Sequence, residues 1–288
     1  MILVTILLVA TGCQASASTT PTPSVEPSAA PSDTPAPSSD EPMPTAAPTP
    51  IGSGCTTGNR VAAAEPEIIG LAPDAGPAMA LTFDMGGRLD PVLDILQFLI
   101  DNQVCATLFP TGAMSETEIG QQALAVVRAH PELFELGNHT MHHCNLRDGG
   151  EGSPTTAPCQ TGGPPDQAFV TAELTDAAAI LEAGSGQDPA PYWRPPYGVY
   201  TDTVLGIAAD LGYTKTMMWS IDTIDWKPIA DGGPSAEQIA SNVVTSATSG
   251  SIVLMHLGGY ETLNALGLMV PALRERGLLL TSISDLLN

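Results

Sequence analysis

From about residue 60 onward, short apolar runs alternate with longer stretches in which apolar residues recur at helical spacing. That alternation restricts the fold more than any other feature of the chain. A strand followed by a helix pairs with the next strand in parallel. Segments 78–83, 104–109, 134–137, 192–193, 214–220, 252–256 and 278–283 read as strands. Segments 89–100, 119–130, 168–183, 204–211, 236–248 and 263–274 read as helices. Repeated strand–helix units predict parallel strands closed, or nearly closed, into a barrel. Such barrels carry their chemistry at the C-terminal ends of the strands.

Chemically capable side chains fall at those ends. Asp84 follows the first strand in Leu-Thr-Phe-Asp-Met-Gly-Gly, and His139 and His143 follow the third in Gly-Asn-His-Thr-Met-His-His. Arg194 follows the fourth in Tyr-Trp-Arg-Pro-Pro-Tyr-Gly. Asp222 and Asp225 follow the next in Ser-Ile-Asp-Thr-Ile-Asp-Trp, and His256 closes Ile-Val-Leu-Met-His. Singly each is weak, since an Asp before Gly-Gly is usually a turn residue. Together they supply what amide hydrolysis needs: a base for water, an acid for the leaving amine, and imidazoles able to converge on a divalent metal. His139 and His143 stand four apart, and imidazole suits zinc, cobalt or nickel.

This order resembles the polysaccharide deacetylases, the NodB-homology group of carbohydrate esterase family 4, over about residues 75–288. The motifs that carry it are Thr-Phe-Asp-x-Gly, His-Thr-x-x-His, Arg-Pro-Pro-Tyr, Asp-x-x-Asp-Trp and Leu-x-His. The resemblance implies a distorted (β/α) barrel with a bound divalent metal, zinc by family habit, with cobalt or nickel as alternatives. It implies removal of N-acetyl groups from an N-acetylglucosamine polymer, peptidoglycan or chitin-like, or of O-acetyl groups from a polysaccharide such as xylan. It assigns Asp84 as the base, and Arg194 as the cation that orients that carboxylate and keeps it ionised. It assigns Tyr197 as a backbone donor to the oxyanion, and His256 as the general acid whose pKa Asp225 raises. Trp226 and Leu254 would line a slot for the acetyl methyl, with plain core packing as the competing expectation. His139 and His143 would ligate the metal. A monomer is expected.

The match breaks at one position. The family's first motif ordinarily reads Asp-Asp-Gly, and its second Asp is a third metal ligand; here that residue is Met85. A thioether is a poor partner for zinc. Either water, Asp84, His142 or Asn138 completes the site, or metal binds weakly with altered activity, or the protein binds glycan without catalysis. The retained base, acid, Arg194 and Asp225 favour a working hydrolase. His142 is expected to point away from the site. His130, ahead of Pro131, is expected at a surface helix end favoured by the helix dipole.

The N-terminal region reads differently. Residues 1–13 suggest a signal peptide ending in lipobox-like Ala-Thr-Gly-Cys at Cys13, although no base precedes Arg60. This is either an atypical signal or the sign of a start upstream of Met1. Residues 14–54 form a linker dominated by Ser, Thr and Pro, too poor in apolar surface to offset its ordering entropy. The folded domain is expected over 55–288. A lipid anchor to a bacterial membrane, or secretion, follows as the expected location, with no membrane contact beyond the anchor.

Cys55, Cys105, Cys144 and Cys159 remain once Cys13 is set aside, an even number suited to an oxidising compartment. Of the three possible pairings, Cys144–Cys159 with Cys55–Cys105 is favoured. Nine Lys and Arg face 31 Asp and Glu, for a formal charge of −22. Such a balance disfavours nucleic acid, whose phosphates require clustered bases.

Overall fold

A computed structural model of the protein describes Cys55, residues 60–154 and residues 156–288. The signal, the lipobox and the linker over 14–54 therefore lie outside the described residues.

In chain order the elements are β1 (Glu67–Ile69), β2 (Ala78–Met85), α1 (Val92–Asp101), β3 (Ala106–Pro110), α2 (Gly112–Ser115), α3 (Glu118–Ala129) and β4 (Phe134–Leu136). They continue with α4 (Gln167–Ser185), β5 (Tyr192–Trp193), α5 (Asp202–Asp210), β6 (Lys215–Met217), β7 (Ile221–Asp222), α6 (Ala236–Ser246), β8 (Ile252–His256), α7 (Thr262–Glu275), β9 (Leu279–Thr281) and α8 (Ile283–Leu286). Helix starts follow local chemistry. Thr117, Asp166, Thr201 and Ser235 each accept a backbone N–H in the first turn, and Ser235 forms a capping box with Gln238.

Every strand pair is parallel. One sheet runs β4-β3-β2-β8-β7, with β9 beside the start of β2; the other runs β1-β6-β5. A parallel bridge between Asn138 and Trp193 joins β4 to β5. The result is the expected distorted barrel, with all strand C-termini on one face.

β2 is its hub. All eight of its residues are buried, and they alternate in direction with the period of a strand. Met79, Leu81, Phe83 and Met85 join the apolar cluster that includes Ile95, Leu124, Ile239 and Leu266 of the surrounding helices. Each fully buried side chain of this kind contributes about 1.5–3 kcal/mol. Thr82 and Asp84 lie on the opposite face.

Three boundaries correct the sequence reading. Segment 214–220 is not one strand. Met218 N–H donates to Ile69 O at 2.7 Å, whereas Ser220 N–H donates to Ile252 O at 2.9 Å, so the chain changes sheets between them. Segment 278–283 ends as a strand at Thr281, because Ser282 caps α8. The first helix starts at Val92 rather than 89, directly after Pro91. β1 and α2, three and four residues long, were too short to show a period.

Two fasteners hold the N-terminal lead. Cys55 and Cys105 lie with Cα atoms 5.8 Å apart, and Cys144 and Cys159 5.5 Å apart, as the favoured pairing requires. Arg60 Nε stands 3.5 Å from the fully buried carboxylate of Glu135. Glu135 also accepts from Thr107 Oγ1 at 2.9 Å and Ser284 N–H at 3.1 Å, so one buried anion ties β3, β4, α8 and the lead together.

Candidate active site

At the C-terminal end of β2, the inward side chain is Asp84, 5% exposed. Arg194, reached from β5 and wholly buried, donates from Nη1 to Asp84 Oδ1 at 2.7 Å and from Nη2 to Thr82 Oγ1 at 2.9 Å. Its Nε donates to Met217 O at 2.9 Å, and its plane stacks over Phe109 at 4.2 Å. A buried guanidinium with so many partners is a fixed cation. Burial alone would raise the Asp84 carboxyl, but Arg194, aided by His139 and His256, outweighs it and holds it below the ordinary carboxylate range. Asp84 is therefore ionised near neutral pH.

The segment after β4 brings His139 and His143 beside it. His139 Nδ1 bonds Arg194 O at 2.8 Å, which makes Nδ1 the protonated nitrogen and leaves Nε2, 3.4 Å from Asp84 Oδ2, as the lone-pair side. The His143 ring packs edgewise on His139 at 4.8 Å and on Tyr197 at 4.6 Å. Burial holds both imidazoles below the usual histidine range, His143 down to about 3 with His139 adding to the effect. Neutral imidazoles are the form that ligates metal.

On the opposite wall, β8 ends in His256. Its Nδ1 lies 2.7 Å from Asp225 Oδ1, and its backbone N–H donates to Asp225 Oδ2 at 2.9 Å. The Thr262 hydroxyl donates to the same Oδ2. Burial would lower the His256 pKa, but the charge and hydrogen bond of Asp225 outweigh it and raise it.

These groups border one cleft of about 670 Å³. Asp84, His139, His143, Tyr197, Trp226, Leu254 and His256 line it, while Arg194 and Asp225 stand behind Asp84 and His256. Trp226 is 55% exposed, so core packing does not explain it; Leu254, 5% exposed, forms the deep wall. Of the six non-glycine residues with positive φ among those described, Thr140, His143, Tyr197 and Ile224 lie within the five motifs, and Glu151 lines the cleft. Such backbone strain, about 1–3 kcal/mol per residue, persists where a site over-determines it.

The residues do not complete a three-ligand metal seat. Met85 is 1% exposed, packs in the outer apolar cluster and is absent from the cleft wall. His142 is committed elsewhere, its Nδ1 2.6 Å from Glu173. The Asn138 amide donates to Leu174 O and Tyr213, and its oxygen accepts from Thr140 N–H. No group of three His, Cys, Asp or Glu suited to a metal occurs among the described residues. Two imidazoles are what the site offers, with Asp84 Oδ2 3.4 Å from His139 Nε2 beside them. His130, the α3 C-cap, pairs with Glu132 at 3.2 Å on the surface.

Sequence reasoning did not single out Glu173, Arg88, Glu151 or Tyr260. Glu173 had a signal: it sits on the core-facing stripe of α4 with Val170, Leu174 and Ala177, where an acid is out of place unless it has a partner. The other three stand on loops, where no period marks them.

Residues 72–216 match the family described as Polysaccharide deacetylase. A chitooligosaccharide deacetylase of Bradyrhizobium sp. (strain ANU 289) is 30% identical over 212 residues, covering 68% of this chain and 84% of its own. A peptidoglycan-N-acetylglucosamine deacetylase of Bacillus cereus is 30% identical over 203 residues, covering 69% and 64%. Among solved structures, a CE4 family pseudoenzyme from Bacillus anthracis superposes with a TM-score of 0.62 at 26% identity, covering 78% of this chain and 70% of its own.

Proposed function

The chain belongs to the polysaccharide deacetylase family, and from that premise we propose that it is a hydrolase removing N-acetyl groups from a cell-wall or chitin-like N-acetylglucosamine polymer. The observation that carries the reading is the pair of oppositely tuned groups on one cleft: Asp84 lowered beside Arg194, His256 raised beside Asp225. Titratable neighbours pushed apart in this way are the mark of a base and an acid at work at one pH.

Asp84 takes a proton from the water that attacks the acetamide carbon. The backbone N–H of Tyr197 faces the oxygen on which negative charge develops. His256 gives its Nε2 proton to the nitrogen as the carbon–nitrogen bond breaks, and acetate and an amine leave. Leu254 and Trp226 hold the methyl. A divalent cation on His139 and His143, zinc, cobalt or nickel, would supply a Lewis acid beside Asp84. Because the third ligand is missing, weak metal binding is part of the proposal.

Location is inferred from the same chain. A lipidated Cys13, a linker over 14–54 and oxidised Cys55–Cys105 and Cys144–Cys159 bridges suit a catalytic domain, 55–288, held outside a bacterial membrane or secreted. No helix among the described residues is long and apolar enough to cross a membrane.

Met85 and the likeness to a pseudoenzyme favour a second reading, a silent glycan-binding lipoprotein. Acetate release from N-acetylglucosamine oligomers and from acetyl-xylan, with and without added Zn²⁺ or Co²⁺, separates the readings. Release from the oligomers, enhanced by metal and reduced about 10²–10⁴-fold in Asp84→Asn, is the expected result. No release from either substrate with metal supplied would sink the enzyme reading. Met85→Asp, assayed alongside, is expected to lower the unfolding midpoint and leave Zn²⁺ affinity unchanged, because position 85 faces the outer apolar cluster rather than the cleft. Tighter Zn²⁺ binding would show instead that position 85 faces the metal.

A further inference from the structure

The cleft extends past the reacting groups to a rim where Arg88 and Tyr260 stand, and neither takes part in the proton transfers. We propose that Tyr260, held by Arg88, is a binding subsite for the sugar ring next to the one that loses its acetyl group. The proposal rests on the glycan reading of the cleft.

Tyr260 is 44% exposed, yet it is fixed. Its backbone N–H donates to Asp225 O at 2.9 Å, so it is anchored to the residue that holds His256. The two glycines before it make the approach possible. A Cβ on Gly258 would collide with the Arg88 carbonyl, and one on Gly259 with Thr262 and the Asp225 carboxylate. The ring itself is held by Arg88, whose guanidinium carbon lies 4.6 Å from the ring centroid. Arg88 is held in turn: Nη1 donates to Gly258 O at 3.0 Å and Nη2 to Asp90 at 2.5 Å.

An exposed aromatic ring with its rotamer already restricted loses little further entropy when a ligand covers it. Arg88 stands over one face of the ring, and Tyr260 as a whole keeps 44% of its surface exposed. The electron-rich face of a tyrosine suits the polarised C–H groups of a pyranose, and its hydroxyl suits a sugar hydroxyl. A chain with nine Lys and Arg places one of them here. Trp226, more than half exposed on the same cleft, presents a second aromatic surface. An acetyl slot accounts for Trp226 and Leu254 but has no use for Tyr260 and Arg88; a polymer held through more than one ring does.

The test titrates N-acetylglucosamine monomer and pentamer into wild-type, Tyr260→Ala, Tyr260→Phe and Arg88→Ala protein by calorimetry, with unfolding midpoints as the check on folding. Tyr260→Ala is expected to weaken the pentamer about tenfold more than the monomer, or about 1.4 kcal/mol. Arg88→Ala should do so more weakly, and Tyr260→Phe should keep most of the affinity. In turnover the loss should appear in KM rather than kcat. Equal losses for monomer and pentamer, no loss, or a wild-type protein that does not bind pentamer would each overturn the subsite. A wild-type protein that binds pentamer through Tyr260 but releases no acetate would overturn the hydrolase reading and leave the subsite standing.

Discussion

Asp225 gives one oxygen to the His256 ring and the other to its backbone N–H and to Thr262. The imidazolium is thus favoured against a burial that works the other way. Its stabilising pairing is fully present below the ordinary histidine value and is lost as pH rises through the raised one. If His256 is the acid, kcat/KM falls on the alkaline side at that raised value. Asp225→Asn removes the charge and leaves the burial, so the alkaline limb should move to lower pH. The rate at pH 8 should then fall about tenfold per unit of displacement, read from a pH–rate profile. A limb that stays in place assigns the proton to another group. At this scale much of the site was legible, because Asp84, His139, His143, Arg194, Asp225 and His256 are chemically capable residues at strand ends. Their relation was not: that Arg194 is buried against Asp84, and that Met85 turns to the outer cluster, depends on which way each side chain leaves its strand.

α4 shows how an element far along the chain shapes the site. Glu173, 2% exposed, accepts from His142 N–H at 2.8 Å and pairs with its ring, one residue before His143. This clamp fixes the backbone that carries the imidazoles. Removing it leaves a part-buried N–H without its partner, at a cost of about 1 kcal/mol. Glu173→Ala should therefore lower the unfolding midpoint by several degrees and weaken Zn²⁺ binding, while Glu173→Gln, which keeps one acceptor, should recover part of both. Scanning calorimetry with and without Zn²⁺ reads the two effects. An unchanged midpoint would remove the clamp from the account. Element types were legible for the long periodic segments such as α4 and α7. Where β6 hands over to β7, the change of sheet is decided by hydrogen bonds to Ile69 on one side and Ile252 on the other. Those partners lie far away in the sequence, and no local pattern announces them.

At the scale of the molecule, the parallel barrel followed from alternation, and its gathering of strand ends explains why motifs spread from Asp84 to His256 meet in one cleft. A chain of residues 55–288 alone should unfold in one transition and keep the kcat/KM of the full protein on soluble oligomers. A large loss on truncation would place part of the catalytic machinery in the first 54 residues. Four of the acids, Glu26, Asp33, Asp40 and Glu41, lie in 14–50 with no base, so most of the charge of −22 belongs to the rest of the chain.

Glu151 and Asp222 bring that acidity to the wall of the cleft. Each acetyl group removed from a glycan converts a neutral amide into a basic amine that takes up a proton as pH falls through neutrality. A polymer that enters uncharged would leave with positive charge that grows toward acid pH, past carboxylates that had no claim on it before. Product retention then grows with the extent of reaction, and ionic strength becomes the lever that frees the enzyme for its next chain.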